Sequence, residues 1–227
     1  MSAINARERL TRLVELAGQN GPGARRALVG ELADLLLDWP SNYPPSMREP
    51  FEALLEKAVQ DVDGPTRARL AERFAATTGS PLAFLNALVF DAAPETRDAI
   101  LVRNAAADPG SERPFVLNES ALIAAARGAL AGDMAHVLAS RFRIDADTAA
   151  RIVADEWAYL LAVLCKGARA SRATFSALAL LADSGHAGDK SYARLAVYDG
   201  VAQTGSEALL KFWQVQAQAR DTSPQAA

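Results

Sequence analysis

Four polar side chains around one turn have the types and spacing that could bind an anion. They are Lys166, Arg169, Ser171 and Arg172. Serine is a favoured residue at the start of a helix, and the free N–H groups of a first helical turn attract negative charge. The alternative is that these cations are simply solvated, as basic loop residues usually are. The turn at 166–172 is therefore a candidate site for a phosphate or for a carboxylate of a partner.

A second candidate is the aromatic segment WPSNYPP at 39–45. Its prolines exclude a helix, so the segment is predicted to be an ordered loop. Trp39 and Tyr43 could form an exposed loop that recognises a partner protein. Packing against the neighbouring helices is the commoner fate of such a tryptophan and is the alternative.

The remaining reactive residue types do not form a catalytic or metal-binding pattern. His136 has Asp133 one turn earlier, whereas His186 lies alone in a glycine-rich segment, and a zinc site needs more ligands than either offers. Cys165 lies in an apolar run, which favours a buried thiol. No G-x-S-x-G, G-x-x-x-x-G-K or G-x-G-x-x-G motif occurs. We expect no catalytic residues, no metal and no cofactor.

One spacing of acidic residues resembles a calcium-binding loop, but we reject it as a calcium site. Asp145, Asp147 and Glu156 match positions 1, 3 and 12 of a calcium-binding loop. The glycine that such a loop needs at position 6 is replaced by Ala150. The segment is instead predicted to be a helix that begins at an Asp145 cap.

Composition and charge limit the class of protein. Half of the residues are hydrophobic and 22% are charged, which indicates a folded chain rather than a disordered one. A net charge of -3 gives no overall attraction to nucleic acid or to an anionic membrane. A single cysteine cannot form an internal disulfide, and the longest apolar run, at 157–165, is too short to span a bilayer. With no signal peptide recognised at the N-terminus, we expect a cytoplasmic location.

The pattern of apolar residues predicts an all-α fold. Nearly every apolar run has helical spacing, and no strand-like alternation of useful length occurs. In the segment 67–104 the helices are short, and prolines at 65, 81 and 94 are expected to begin them. Ser46 is expected to cap the helix that precedes this segment. About 12–13 helices joined by short loops predict an irregular α-solenoid with HEAT-like stacked hairpins.

A proline- and glycine-containing stretch divides the chain. We expect a helical repeat-like half at 1–104, a linker at 105–117, a second helical half at 118–220 and a disordered tail at 221–227. The two halves are expected to form one continuous array.

Several segments resemble the bacterial domain-of-unknown-function family numbered 2336. The resemblance rests on RLAERFA at 69–75, on Ser80-Pro81 with Leu88 and Asp91 after it, and on LASRFRI at 138–144. The segment 164–171 lies where members of that family carry a conserved turn. The resemblance implies an all-helical, repeat-like fold in a bacterial cytoplasm, and it implies no activity because the family's function is not established.

Two functions remain open at this point. The first is a non-enzymatic helical scaffold that binds another protein or a second copy of itself, as broad solenoid faces often do. The alternative is a ligand-responsive regulatory module, or an unrecognised enzyme, that binds an anionic or phosphorylated small molecule at the basic turn 166–172.

Overall fold

Helices account for all the regular structure that the computed structural model describes, namely in residues 6–40, 43–107, 116–129, 133–182 and 189–222. Thirteen α-helices occur in these ranges, together with a short 3-10 helix at Pro45–Met47 and no strand. The α-helices are α1 (Ala6–Ala17), α2 (Pro22–Leu37), α3 (Arg48–Val59), α4 (Gly64–Ala75), α5 (Leu82–Leu88), α6 (Pro94–Ala106), α7 (Glu119–Gly128), α8 (Met134–Phe142), α9 (Ala146–Val153), α10 (Tyr159–Gly167), α11 (Arg172–Leu181), α12 (Asp189–Gly200) and α13 (Gln203–Thr222). The prediction of an all-α fold is confirmed.

The chain divides into two compact units between Thr96 and Arg97. This division lies before the expected linker at 105–117, of which residues 108–115 lie outside the described part of the chain. Residues 221 and 222 of the expected disordered tail at 221–227 belong to α13, which continues to Thr222. The rest of that tail is not among the described residues.

Unit 1 is a succession of helices that pack on their neighbours. Helix α2 packs against α1, α3 and α4, and α4 packs against α5. Its core contains Leu32, Leu35 and Leu36 of α2, and an edge-to-face contact between Phe74 and Phe84 with their ring centroids 4.9 Å apart. Burial of these apolar side chains is the main stabilising contribution of the unit.

Proline and capping residues set the helix starts of unit 1. Helix α6 begins at Pro94, α5 begins directly after Pro81, and Asp63 caps α4 by accepting a hydrogen bond from Thr66 N at 2.8 Å. Helix α2 begins earlier than its apolar pattern indicates, at Pro22, because Gly21 has a φ of 127° that turns the chain into the helix.

The expected cap at Ser46 is wrong. Ser46 lies inside the 3-10 helix, and the residue before α3 is Met47, which has helical dihedral angles and makes no side-chain cap. The backbone N–H of Met47 donates to the carbonyl of Pro44 at 3.0 Å, so the chain is already turning when α3 begins. A helix that continues from such a turn has less need of a side-chain acceptor.

Unit 2 is built around α10. Every residue of this helix is buried except Lys166, and the helix packs against α9, α11, α12 and α13. Most of the apolar run at 157–165 is thus covered, although Trp157 itself is 44% exposed and precedes the helix. A central helix with four neighbours differs from the stacking of a solenoid, in which each repeat contacts only the next.

A buried ion pair fixes the turn that leads into α10. The Asp155 carboxylate accepts hydrogen bonds from Arg97 Nη1 and from the backbone N–H of Leu160, both at 2.9 Å. Ala158 has a left-handed φ of 54°, which an alanine adopts only where its surroundings enforce it. The Asp155 carboxylate caps the first turn of α10 and compensates its own burial with two donors.

Replacement of Gly167 by alanine is expected to destabilise unit 2. A Cβ at this position would lie 2.5 Å from the carbonyl oxygen of Ser206 and 2.9 Å from Cβ of Leu210, so α10 and α13 would have to separate. Overpacking of this kind costs about 1–3 kcal/mol. Urea denaturation followed by circular dichroism measures the change. The matched control is Gly128→Ala, where a Cβ meets nothing within 4 Å, and equal stability of the two variants would contradict the assigned contact.

Candidate functional site

The basic turn 166–172 connects α10 to α11 through a tight backbone path. Arg169 has a left-handed φ of 54°, which is uncommon for a residue with a side chain. The backbone N–H of Ala170 donates to the carbonyl of Cys165 at 2.9 Å, which closes the C-terminal end of α10. This path directs the Arg169 side chain toward α13.

Arg169 is bound by a carboxylate of α13. Its Nε and Nη2 donate to the two carboxylate oxygens of Glu207 at 2.8 and 3.4 Å, and Gln203 Nε2 donates to the same carboxylate at 2.9 Å. The hydrogen bond between them raises the pKa of Arg169 and lowers that of Glu207. The forked guanidinium therefore already holds the bidentate anion that it is suited to bind.

The other two cations of the turn, Arg172 and Lys166, contact residues of α12. Arg172 Nε lies 3.0 and 3.1 Å from the carboxylate oxygens of Asp199, and both side chains are largely exposed. Lys166 Nζ lies 4.3 Å from the ring centroid of Tyr198, a cation–π contact. The hydroxyl of Tyr198 in turn donates to the carbonyl of Ala170 at 2.5 Å, so its ring is fixed over the turn.

The N-terminus of α11 holds an anion that the chain itself provides. Ser171 caps the helix, as predicted, by accepting a hydrogen bond from Thr174 N at 3.2 Å. Glu119 Oε2 accepts hydrogen bonds from Ser171 N at 3.1 Å, from Ser171 Oγ at 2.5 Å and from Thr174 Oγ1. The hydrogen bond from Ser171 is the largest cause of a lowered pKa of Glu119, so its carboxylate is ionised at neutral pH. The carboxylate lies where we expected a bound phosphate.

The four predicted residues of the turn are thus brought together, but with acidic partners that the sequence pattern did not reveal. These partners are Glu119, Asp199 and Glu207, which are separated from their basic or hydroxyl partners by 52, 27 and 38 residues. A free anion would have to compete with all three carboxylates. The contacts connect the turn 166–172 to α7, α12 and α13.

Trp39 and Tyr43 contact each other and the start of α3. Their ring centroids lie 5.8 Å apart in an edge-to-face arrangement, and Trp39 lies 5.9 Å from the ring of Phe51. Both side chains are half-buried. This packing matches the alternative to an exposed recognition loop, namely that the aromatic side chains pack against neighbouring helices. Residues 41 and 42 of the loop are outside the described ranges.

The other candidates lie apart from one another. His136 is exposed on α8, and His186 falls outside the described residues. Cys165 is fully buried, and burial raises the pKa of its thiol. Asp145 caps α9, as predicted, and also binds Arg220 Nη1 at 2.9 Å. Within the described parts of the chain, no group of three or more His, Cys, Asp or Glu side chains could hold a metal ion.

Sequence reasoning missed an apolar outer surface on the helical hairpin formed by α11 and α12. Residues 173–182 contain no charged side chain, yet part of this helix is exposed. We define the hairpin face as six exposed uncharged residues of the two helices, namely Ala173, Leu180 and Leu181 of α11 and Tyr192, Ala193 and Ala196 of α12. The run of ten residues without charge could have indicated this surface. A helix that is apolar all round is usually covered by other parts of the protein or by a partner.

Comparison with known proteins gives no match to a family model, a curated protein or a solved structure. The resemblance to the family numbered 2336 therefore stays a prediction. None of the helices in the described ranges has the length and apolar character needed to span a membrane.

We expect Glu119→Gln to reduce the stability of unit 2 at pH 7, by an amount that decreases as the pH falls below the unfolded pKa of glutamate. The folded pKa of Glu119 lies below its unfolded value, so its stabilising contribution is present above the unfolded pKa, near 4.3, and is lost as pH falls through the folded pKa. Urea midpoints at pH 7, 5 and 3 measure the difference. Asp147→Asn, which removes an exposed carboxylate of α9, is the control, and an equal loss in both variants would contradict this assignment.

We expect Cys165 to resist an aromatic disulfide reagent at pH 8 until unit 2 unfolds. The thiol is fully buried and its pKa is raised, so little thiolate meets the reagent. The absorbance of the released thiolate should rise slowly in buffer and within seconds in 6 M guanidinium chloride, a concentration that denatures most proteins. Rapid reaction in buffer alone would show that α10 is accessible.

Proposed function

We propose that this protein is a non-enzymatic helical interaction module, and that the hairpin face of α11 and α12 is its docking surface. The observation that carries the proposal is the exposure of large apolar side chains on α11, which has no charged residue after Arg172, and on the neighbouring α12. Tyr192 is 80% exposed, Leu180 54% and Leu181 41%. Tyrosine and large apolar residues in a cluster are typical of protein interfaces, whereas monomeric proteins rarely expose wide apolar surfaces.

The occupant we propose is a second copy of this chain. An uncharged apolar face is complementary to another such face, and a second copy necessarily carries one. Two-fold association places the same patch of each copy against the other, without like charges in contact. At one end of the hairpin the ion pair between Arg172 and Asp199 provides a polar rim, as in most interfaces.

We also propose a specific arrangement for the helices of unit 1. We infer a HEAT-like arrangement for unit 1 on the basis of the succession α1, α2 and α3, in which each helix packs on the next. Such succession is typical of helical repeats, which present their outer faces to partners.

The alternative function, a ligand-responsive module at the turn 166–172, has less support. Arg169 and Arg172 each contact a carboxylate of the chain, and Glu119 accepts the backbone N–H of Ser171 at the start of α11. Binding of a phosphorylated ligand there would require these contacts to break.

The oligomeric state tests the proposal directly. One chain has a mass of 24.1 kDa, and light scattering after size exclusion should give twice that mass at concentrations near 100 µM. A dissociation constant of about 100 µM corresponds to an association free energy of only about 5–6 kcal/mol. Leu180→Glu combined with Tyr192→Glu should give the monomer mass, because it buries two carboxylates in the interface.

The matched control is Val215→Glu on α13, since Val215 is also 54% exposed and lies outside the hairpin face. This variant should remain a dimer. A wild-type chain that is monomeric at every concentration would overturn the second copy as occupant. Loss of the dimer in the control alone would place the interface on α13 instead.

A further inference from the structure

A cleft between α2 and α4 in unit 1 combines an apolar floor with three arginine side chains. The cleft has a volume of about 250 Å³. Helix α2 contributes Arg26, Val29 and Gly30, which lie on one face because they are three and four residues apart. Helix α4 contributes Thr66, Arg69, Leu70 and Arg73 with the same spacing.

Two of the three guanidinium groups bind aspartates at the edge of the cleft. Arg26 Nη1 lies 3.0 Å from Asp63 Oδ2, and Arg73 Nη2 lies 2.5 Å from Asp34 Oδ1. In each pair one nitrogen makes the contact, so other N–H donors of the same guanidinium remain for a ligand. These side chains are 42–51% exposed, so their pairing is weak and can adapt.

Arg69 lies between the other two arginines and makes no ion pair among the described residues. Its Nε donates to the carbonyl of Pro65 at 3.4 Å, a long hydrogen bond that leaves the positive charge uncompensated. Three guanidinium groups therefore face two carboxylates, and the cleft keeps one positive charge in excess.

The floor of the cleft is apolar. Val29 is fully buried and Leu70 is 3% exposed, so both side chains are held by the core of unit 1. Because these two side chains expose almost no surface, a ligand above them would bury its carbon atoms mainly against the Gly30 backbone and the methylene groups of the arginines. Such a combination of an apolar pocket with a few convergent polar groups is typical of small-molecule sites.

The absence of a side chain at Gly30 leaves the cleft open but lowers the stability of α2. It lies in the interior of α2, where glycine is less favourable than alanine. A Cβ at this position would meet no atom within 4 Å, so helix packing does not require glycine there. Gly30 differs from Gly23, which is equally open, in lining the cleft, so a side chain at position 30 would project into the space that a ligand would occupy.

From these observations we infer that the α2–α4 cleft binds a small organic anion, with a carboxylate or phosphate group held by Arg26, Arg69 and Arg73 and an apolar part lying over Gly30 and the methylene groups of the arginines. The cleft has a volume of about 250 Å³, below the usual range for drug-sized ligands, so the ligand is small. The guanidinium fork fits carboxylate and phosphate oxygens equally well. This site is independent of the hairpin face in unit 2.

The test uses benzoate and phenyl phosphate as probes, titrated into the full chain and followed by protein NMR shifts. Both should bind, and inorganic phosphate and neutral benzyl alcohol should each bind at least about tenfold more weakly, since each lacks one half of the recognised chemistry. The tighter of the two organic anions identifies the preferred head group. Binding should weaken as salt is raised from 20 to 200 mM, because part of it is between exposed charges.

Two variants locate the site. Gly30→Leu fills the cleft and should weaken both organic anions by at least about tenfold while raising the melting temperature, because leucine is the better helix former. Arg69→Gln should weaken them by about tenfold without unfolding the chain, because the side chain is exposed and lies outside the core.

The matched controls are Gly23→Leu and Arg25→Gln. Both positions lie on α2, Gly23 also has no atom within 4 Å of an added Cβ, and neither residue lines the cleft. The controls should bind as the wild type does. The inference is overturned if neither organic anion binds at 10 mM, or if Gly30→Leu and Arg69→Gln bind as tightly as their controls.

Discussion

The close contact between α10 and α13 at Gly167 is the constraint on which unit 2 depends. Gly167 has no Cβ, and the backbone carbonyl of Ser206 lies in the space that a Cβ would need. Ser206 is fully buried there, with its hydroxyl donating to Ala202 O at 2.7 Å. Since Glu207 follows directly, the same contact places its carboxylate beside Arg169. The register of α13 on α10 therefore decides which partner the basic turn has.

Local chemistry predicted the helices well, because helix starts depend on residues next to one another in the chain. Asn118, Asp145 and Ser171 each accept a hydrogen bond from the N–H three residues on, as their types indicate. Ser46 has the same residue type and fails, because two prolines before it start a 3-10 turn and remove the need for a cap. Capping rules apply where the preceding backbone is extended.

The properties of the candidate turn were not predictable from sequence, because they depend on tertiary contacts. A run containing Lys166, Arg169 and Arg172 predicts positive potential only if no carboxylates fold onto it. Glu119, on another helix, removes that potential at the N-terminus of α11. No local pattern near position 119 indicates this partner. The sequence places the three cations beside a helix start but does not show which carboxylates fold onto them.

Two features that oppose folding or solubility are more informative about function than the features that support the fold. Leu180 and its neighbours on α11 expose apolar surface where a charged residue would be more soluble, and Gly30 weakens α2 where an alanine would fit. Helix formation explains neither choice. Departures from local rules that have no structural compensation are expected at functional sites. Gly30 lies in unit 1 and the exposed apolar residues of α11 lie in unit 2, which favours two separate roles: association through the hairpin face and anion binding in the α2–α4 cleft.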